Sequence, residues 1–335
     1  MMLFLLFVSF GHADEPERGF FARLFGPPPV EKDDDTGVLA KLPPEVAEGV
    51  AIQTWLARTP FQPGSIDGSP GSNTWQALRA FQRAERLSVT GEPDRKTRKR
   101  LRKAALGKPR SVLRRHVVTA EDVAGPYEKL PDGIYAASEA PCMCYESALE
   151  EVAERYFVAP GLVAALNPTV DLARLEAGDE IVLPDARPIR ALDGKVARIQ
   201  VNVTDRTLTA FDEQGTVLRQ YPTVIGETFA QYKGQMTVAR VARNPDYTLD
   251  PASWEEIPDT LPKVVIPPGP NSPVGVVWMG LSKDGYGIHG TSQPETIGHT
   301  ESHGCVRLTN WSASELAGFV EPGATTVDFV GVPPS

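Results

Sequence analysis

The sequence predicts three modules of different fold class: a small all-α module, a small α+β module and a larger C-terminal mainly-β domain of sandwich type. Three observations carry this. Apolar residues recur at helical spacing over residues 45–104. Helix and strand patterns mix over 116–184, and short alternating segments bounded by turns run through 195–331. The length of 335 residues fits two or three domains. A hydrophobic fraction of 41% with 23% charged residues describes a globular chain, and a net charge of −9 argues against nucleic acid as its partner. Three cysteines are too few for a disulfide scaffold, and at least one has no partner within the chain.

Residues 1–13 open with the apolar run Leu3–Phe10 and close on Gly11-His12-Ala13. The run is too short to span a bilayer, and the small-x-small ending has the form of a cleavage site. We expect a signal peptide here and an exported, soluble mature protein in the periplasm or cell wall, although no Lys or Arg precedes the run. Residues 14–44, with Gly26-Pro27-Pro28-Pro29 and Asp33-Asp34-Asp35, have the composition of a linker.

In the all-α module, Ile52, Trp55 and Leu56 form one stripe, and Trp75, Leu78, Phe81 and Gln82 a second. Asp67-Gly68 marks a tight turn between them. Ser72 or Asn73 is expected to cap the second helix and Asp94 the third. The ordered set Ile52-Gln53, Pro63-Gly64, Ile66-Asp67-Gly68, Thr74, Ala77-Leu78, Phe81-Gln82, Thr90-Gly91 and Thr97 resembles the peptidoglycan-binding-like domain of cell-wall enzymes. The resemblance implies a three-helix module that docks on the wall. Residues 95–115 carry eleven Lys or Arg and no acid. That is either a solvated helix face or a surface attracted to anionic wall polymer or a membrane.

Over residues 116–184, His116–Thr119 reads as a first strand, Tyr145–Tyr156 as an amphipathic helix, Leu162–Leu166 as a second helix ended by Asn167-Pro168, and Leu175, Gly178-Asp179 and Ile181–Pro184 as a closing strand. Together these resemble a degenerate LysM module. Cys142 and Cys144, one residue apart, form either a local disulfide or two free thiols, and no catalysis is assigned to them. The linkers predict mobile modules.

The β domain shows strand candidates at Ile199–Val203, Thr207–Phe211, Val217–Tyr221, Thr237–Ala242, Val276–Met279 and Val327–Val330. Within it, Tyr286-Gly287-Ile288-His289-Gly290-Thr291 precedes Ser302-His303-Gly304-Cys305-Val306-Arg307. A thiol with an ordinary value near 8.5 is a weak nucleophile at neutral pH, and an imidazole that takes its proton makes it competent for acyl transfer. Glycines beside both groups let the backbone approach a ligand and aim amides at an oxyanion. A zinc site built from His289, His299, His303 and Cys305 is the competing reading, but no zinc spacing is present. His289 is favoured as base over His303, because side chains two apart on an extended segment stand about 7 Å from one another at Cα.

Those motifs, with Ile266–Asn271, Pro273-Val274-Gly275, Ile297-Gly298 and Asn310-Trp311, resemble the YkuD-type L,D-transpeptidase catalytic domain over residues 195–331. The resemblance implies a β-sandwich-like domain with Cys305 as nucleophile and His289 as general base and acid, oriented by a backbone carbonyl near Gly290. Ser302, His303 and Gly304 would shape the site and the oxyanion hole. Arg307, Gly290, Thr291 and Tyr286 are candidates for substrate contact, with a structural ion pair as the alternative for Arg307 and core packing favoured for Trp278. The implied partners are a peptidoglycan tetrapeptide stem as donor and an amine as acceptor, with no metal and no cofactor. Water as acceptor would make a carboxypeptidase, a protein amine a wall-anchoring enzyme, and loss of chemistry a binding adaptor.

Overall fold

The computed structural model describes residues 35–105, 111–186, 194–226, 232, 234–253, 260–299 and 305–331. The expected signal segment and most of the expected linker lie outside these residues. The end of that linker is helical: α1 (Asp35–Leu39) leads into α2 (Pro44–Ala57). Val38, Leu39 and Leu42 pack on a hydrophobic cluster, so three apolar side chains outweigh the polar composition around them.

α2, α3 (Ser72–Ala84) and α4 (Arg95–Ala105) enclose Ile52, Leu56, Phe61, Leu78, Phe81 and Leu101. Two buried glutamines lock the turns between helices. Gln53 Oε1 accepts from the backbone N–H of Asp67 and Gly68 at 3.2 and 2.8 Å, and Gln82 Oε1 accepts from Thr90 and Gly91 at 3.0 and 2.8 Å. Buried amides of this kind cost stability unless paired, so the turn and the glutamine need each other. Asp94 caps α4 by accepting from Thr97 N at 2.7 Å. The expected cap of α3 is absent: Gly71 stands at its N-cap without a side-chain hydrogen bond, and the Asn73 amide is used elsewhere. α4 turns Thr97, Leu101 and Ala105 inward and leaves all its Lys and Arg exposed.

The α+β module pairs β1 (Leu113–Val117) antiparallel with β2 (Glu180–Pro184). Between them lie α5 (Ile134–Ala137), α6 (Ala148–Arg155) and α7 (Pro160–Leu166). β1 starts earlier than expected and stops before Thr119, whose N–H donates to Asp122 Oδ2 at 2.7 Å. α6 starts later than expected, because Ser147 accepts from Glu150 N at 3.2 Å and caps it. Cys142 and Cys144 are joined by a disulfide. The segment lies on the β domain: Met143 N donates to Pro268 O at 3.0 Å, and Asn271 N donates to Met143 O at 2.9 Å.

In the β domain, nine strands form one continuous sheet in the order β5-β4-β3-β13-β7-β10-β11-β12-β6. They are β3 (Arg198–Asn202), β4 (Thr207–Phe211), β5 (Val217–Pro222), β6 (Val224–Ile225), β7 (Gln235–Arg243), β10 (Val277–Leu281), β11 (Gly287–His289), β12 (Val306–Arg307) and β13 (Thr326–Val330). A separate hairpin pairs β8 (Tyr247–Leu249) with β9 (Val264–Ile266). The sandwich arises because β7 serves both halves: Gln235–Thr237 pairs with β13, and Val238–Arg243 with β10. Ile199, Val201, Leu208 and Val327 of one half meet Met279, Ile288 and Val306 of the other in one core. α8 (Asn310–Ala317) adds Ala313, Leu316 and Ala317.

The modules are not free of one another, which corrects the expectation of mobility. One hydrophobic cluster takes Val50, Ala57 and Ile66 from the first module, Phe157 and Leu162 from the second and Trp311 from the third. Trp311 stacks on Phe157 at 5.4 Å. Arg58, 6% exposed, forms an ion pair with Asp185 at 3.2 Å and donates to Ser111 O at 2.6 Å. Gln62 N donates to Gln220 O at 2.9 Å, and Gln220 N to Pro60 O at 2.8 Å, so Phe61 lies along β5. Linker composition carries no information about such shared apolar faces.

Candidate active site

Strand register assembles the site. Trp278 on β10 stands opposite His289 on β11, and His289 opposite Arg307 on β12. Residues directly opposed across a sheet share a face, so these three side chains form a row. The alternate residues Met279, Ile288, Val306 and Ile225 form the next row and point into the core. Cys305 immediately precedes β12, and alternation from Arg307 sets its thiol on the His289 face beside Gly287. The Gly287 backbone N–H donates to the Cys305 thiol, and Gly226 N donates to Cys305 O at 3.1 Å.

Gly287 has no side chain for a physical reason. A Cβ there would lie 2.4 Å from Trp278 Cζ2, so the indole occupies the space a side chain needs. The same indole stacks on the His289 imidazole, with centroids 5.4 Å apart and planes 21° apart. Trp278, His289 and Cys305 are 2%, 4% and 5% exposed.

His289 Nδ1 lies 2.6 Å from Gly290 O. A carbonyl only accepts, so Nδ1 carries the proton and Nε2 the free lone pair. Burial, with the Arg307 charge adding to it, holds the imidazole down to about 3. Burial also pushes the Cys305 thiol up to about 12, against the opposing pull of Arg307 and the Gly287 amide. Thiol and imidazole are therefore each uncharged at rest.

Arg307 is partly buried, its Nε has no hydrogen-bond partner, and no carboxylate pairs with it among the described residues. Thr291 is buried and its Oγ1 accepts from Gln293 N at 3.1 Å. Tyr286 sits on the other side of its strand from Gly287 by alternation. Its ring packs at 5.6 Å from Tyr232, with the Lys283 ammonium 4.5 Å above it. Ser302, His303 and Gly304 lie outside the described residues. Sequence reasoning missed the Trp278–His289 stack, because a cross-strand neighbour depends on register. It also missed the structural part of Asn310, whose Oδ1 accepts from Val276 N at 3.2 Å and whose Nδ2 donates to Pro270 O at 3.0 Å.

Asn310 Nδ2 also lies 3.4 Å from Glu154 Oε2, and Glu154 Oε1 accepts from Tyr145 at 3.0 Å. Desolvation, reinforced by Glu150 and Glu151, raises this carboxyl to about 8. A carboxyl higher in the folded state contributes stability that is complete below its ordinary value of about 4.5 and is lost as pH rises through about 8. Glu154→Gln is therefore expected to flatten the fall in melting temperature between pH 6 and pH 9. Equal slopes for both proteins would refute this.

Two family models match the chain. The L,D-transpeptidase catalytic domain, YkuD, covers residues 196–328, and a peptidoglycan binding domain covers residues 47–101. The chain is 30% identical over 176 residues to a Bacillus licheniformis protein named as an L,D-transpeptidase, YkuD, covering 52% of this chain and 89% of the relative. It is 28% identical over 176 residues to the Bacillus subtilis protein of the same name, with the same coverage. It is 34% identical over 112 residues to a Fuscovulum blasticum protein also named as an L,D-transpeptidase, covering 33% of this chain and 58% of that one. With the His289–Cys305 face built on its matched domain, this chain belongs to the YkuD family of L,D-transpeptidases.

Proposed function

We propose that this chain is a cysteine-dependent acyltransferase of the cell wall that cross-links peptidoglycan between diamino acids. Peptidoglycan is the substrate its two matched domains have in common. The observation that carries the reading is the His289 tautomer: an imidazole with Nδ1–H held by Gly290 O presents a free Nε2 on the face that bears Cys305.

In the first half-reaction, Cys305 Sγ attacks the carbonyl carbon between the diamino acid and the terminal D-residue of a tetrapeptide stem. His289 Nε2 takes the thiol proton as the C–S bond forms and returns it to the leaving amine as the C–N bond breaks. The D-residue leaves and a thioester remains. In the second half, an amine of another stem gives its proton to Nε2 and displaces the thiolate, which is reprotonated. Ser302, His303 and Gly304 are assigned to the shape of the site and the oxyanion hole, and Gly290 and Thr291 to the substrate cleft. Tyr286 keeps a contact role only at the cleft margin. The protein works outside the membrane, exported to the periplasm or wall. The seven exposed cations of α4 favour an anionic surface as a peripheral contact.

The test is incubation of the mature protein with disaccharide-tetrapeptide, followed by mass spectrometry of protein and products. A cross-linked dimer with one D-alanine released per bond supports the reading. Tripeptide without dimer would mark a carboxypeptidase, and no D-alanine at all would leave a binding adaptor.

Arg307 is assigned to a substrate carboxylate, since among the described residues no carboxylate pairs with its guanidinium and its Nε has no hydrogen-bond partner. Arg307→Gln is expected to raise KM about tenfold to a hundredfold, the range for losing a hydrogen bond between charged groups. An unchanged KM would remove Arg307 from the binding site.

A further inference from the structure

β11 and β12 are parallel neighbours, so the chain between them must cross over rather than turn back. Such crossovers are usually filled by a helix. Here the described residues of the connection hold only a short 3₁₀ turn at Pro294–Thr296. The described residues of this connection, 290–299, belong to no strand, so contacts from outside must help to hold them in place. The connection joins the strand of the proposed base to the proposed nucleophile, which immediately precedes β12.

One anchor comes from the N-terminal helical module. Asn73 Nδ2 donates to Ile297 O at 2.7 Å, and Ile297 is 1% exposed. The next residue, Gly298, has φ +84°, and a Cβ there would stand 1.8 Å from Asn73 Oδ1. A Cβ on Gly71 would stand 3.9 Å from His299 Cε1. The first turn of α3 therefore sits directly on residues 297–299. Asn73 is free for this contact because it does not cap its own helix. The module that carries it is held on both sides, by Arg58–Asp185 and by the Pro60–Gln220–Gln62 pairing.

We propose that Asn73 is a positioning residue for the reaction: through it, the helical module fixes the Ile297–His299 turn and so the relative placement of His289 and Cys305. The module is then part of the catalytic framework as well as a wall-docking unit. This rests on the acyl-transfer reading above. Asn73 touches no reacting atom and acts through the Ile297–His299 backbone.

The test uses the full mature chain with Asn73→Ala and Asn73→Asp. The aspartate keeps the side-chain shape but replaces the donor with an oxygen that repels Ile297 O. Three quantities are read: kcat and KM for D-alanine release, melting temperature, and amide hydrogen exchange over residues 290–299. Both variants are expected to lower kcat at least about tenfold with KM within about twofold, as small misplacements of reacting groups do. Exchange over 290–299 should quicken while α2 and α4 keep their protection. The proposal is overturned if kcat is unchanged, or if it falls only in step with the unfolded fraction while exchange over 290–299 stays as in the parent. Should the parent protein release no D-alanine, the acyl-transfer reading fails, and the exchange data alone still decide whether Asn73 holds the crossover.

Discussion

Cys305→Ala is expected to abolish D-alanine release, by on the order of 10⁴-fold or to below detection, and to eliminate the acyl adduct on the protein. Every bond change in the proposed sequence passes through Sγ: it attacks, holds the acyl group and leaves. No described group on the same face can replace it, since His289 is the proton carrier and Arg307 is not a nucleophile. The side chain lost is small and buried, so the variant should fold, and its melting temperature checks that. Binding to isolated wall should persist through the helical module. Retention of D-alanine release by Cys305→Ala would sink the mechanism, and a parent protein that binds wall yet never releases D-alanine would favour the adaptor.

The second large effect concerns His289. Replacement by Gln keeps a polar side chain of similar reach but removes the base, with an expected loss in kcat/KM of about 10² to 10⁴-fold. The pH dependence is a sharper test. Burial and Arg307 hold the imidazole down to about 3, and burial holds the thiol up to about 12. Raising pH through the ordinary histidine value of about 6.5 thus removes no proton from His289, which is already neutral there. Raising it through the ordinary thiol value of about 8.5 ionises little Cys305, because its proton is held to higher pH. The kcat/KM profile of the parent protein should therefore be flat from about pH 5 to pH 9, and iodoacetamide should alkylate Cys305 far more slowly at pH 7 than it alkylates a free cysteine. A bell with limbs near those two ordinary values would contradict a neutral resting pair.

Much of this molecule is readable from short-range pattern. Asp94 caps α4 because a cap is a local hydrogen bond, and α2 to α4 follow stripes such as Ile52, Trp55 and Leu56 that need no knowledge of the rest of the chain. Cys305 and His289 stand out because a thiol, imidazoles and glycines rarely fall so close together without chemistry to do. The strand that carries His289 and the one that Cys305 precedes are not readable. β11 and β12 have three and two residues, fewer than alternation needs to declare itself, and each is stabilised by partners distant in sequence. The stack of Trp278 on His289 is likewise a property of register. Asn73 shows the same limit from the other side: a local rule assigns it a cap, and a tertiary contact takes it away. The shared cluster of Val50, Ile66, Phe157 and Trp311 hides in three separate segments, each of which reads as the core of its own module.

That shared cluster has a consequence for how the enzyme meets its substrate. A tethered wall-docking unit samples many positions, and its contribution falls off smoothly as the tether lengthens. A unit paired along β5 of the reacting domain, and held by a buried ion pair on a second module that itself stacks on Trp311, behaves as a ruler. A strand of wall that it grips is offered to the thiol at one separation and one angle. The effective concentration of a stem at that distance is then very high, and that of a stem elsewhere on the strand close to zero. Cross-links laid down by such an enzyme would carry a spacing set by the protein and not by chance encounter.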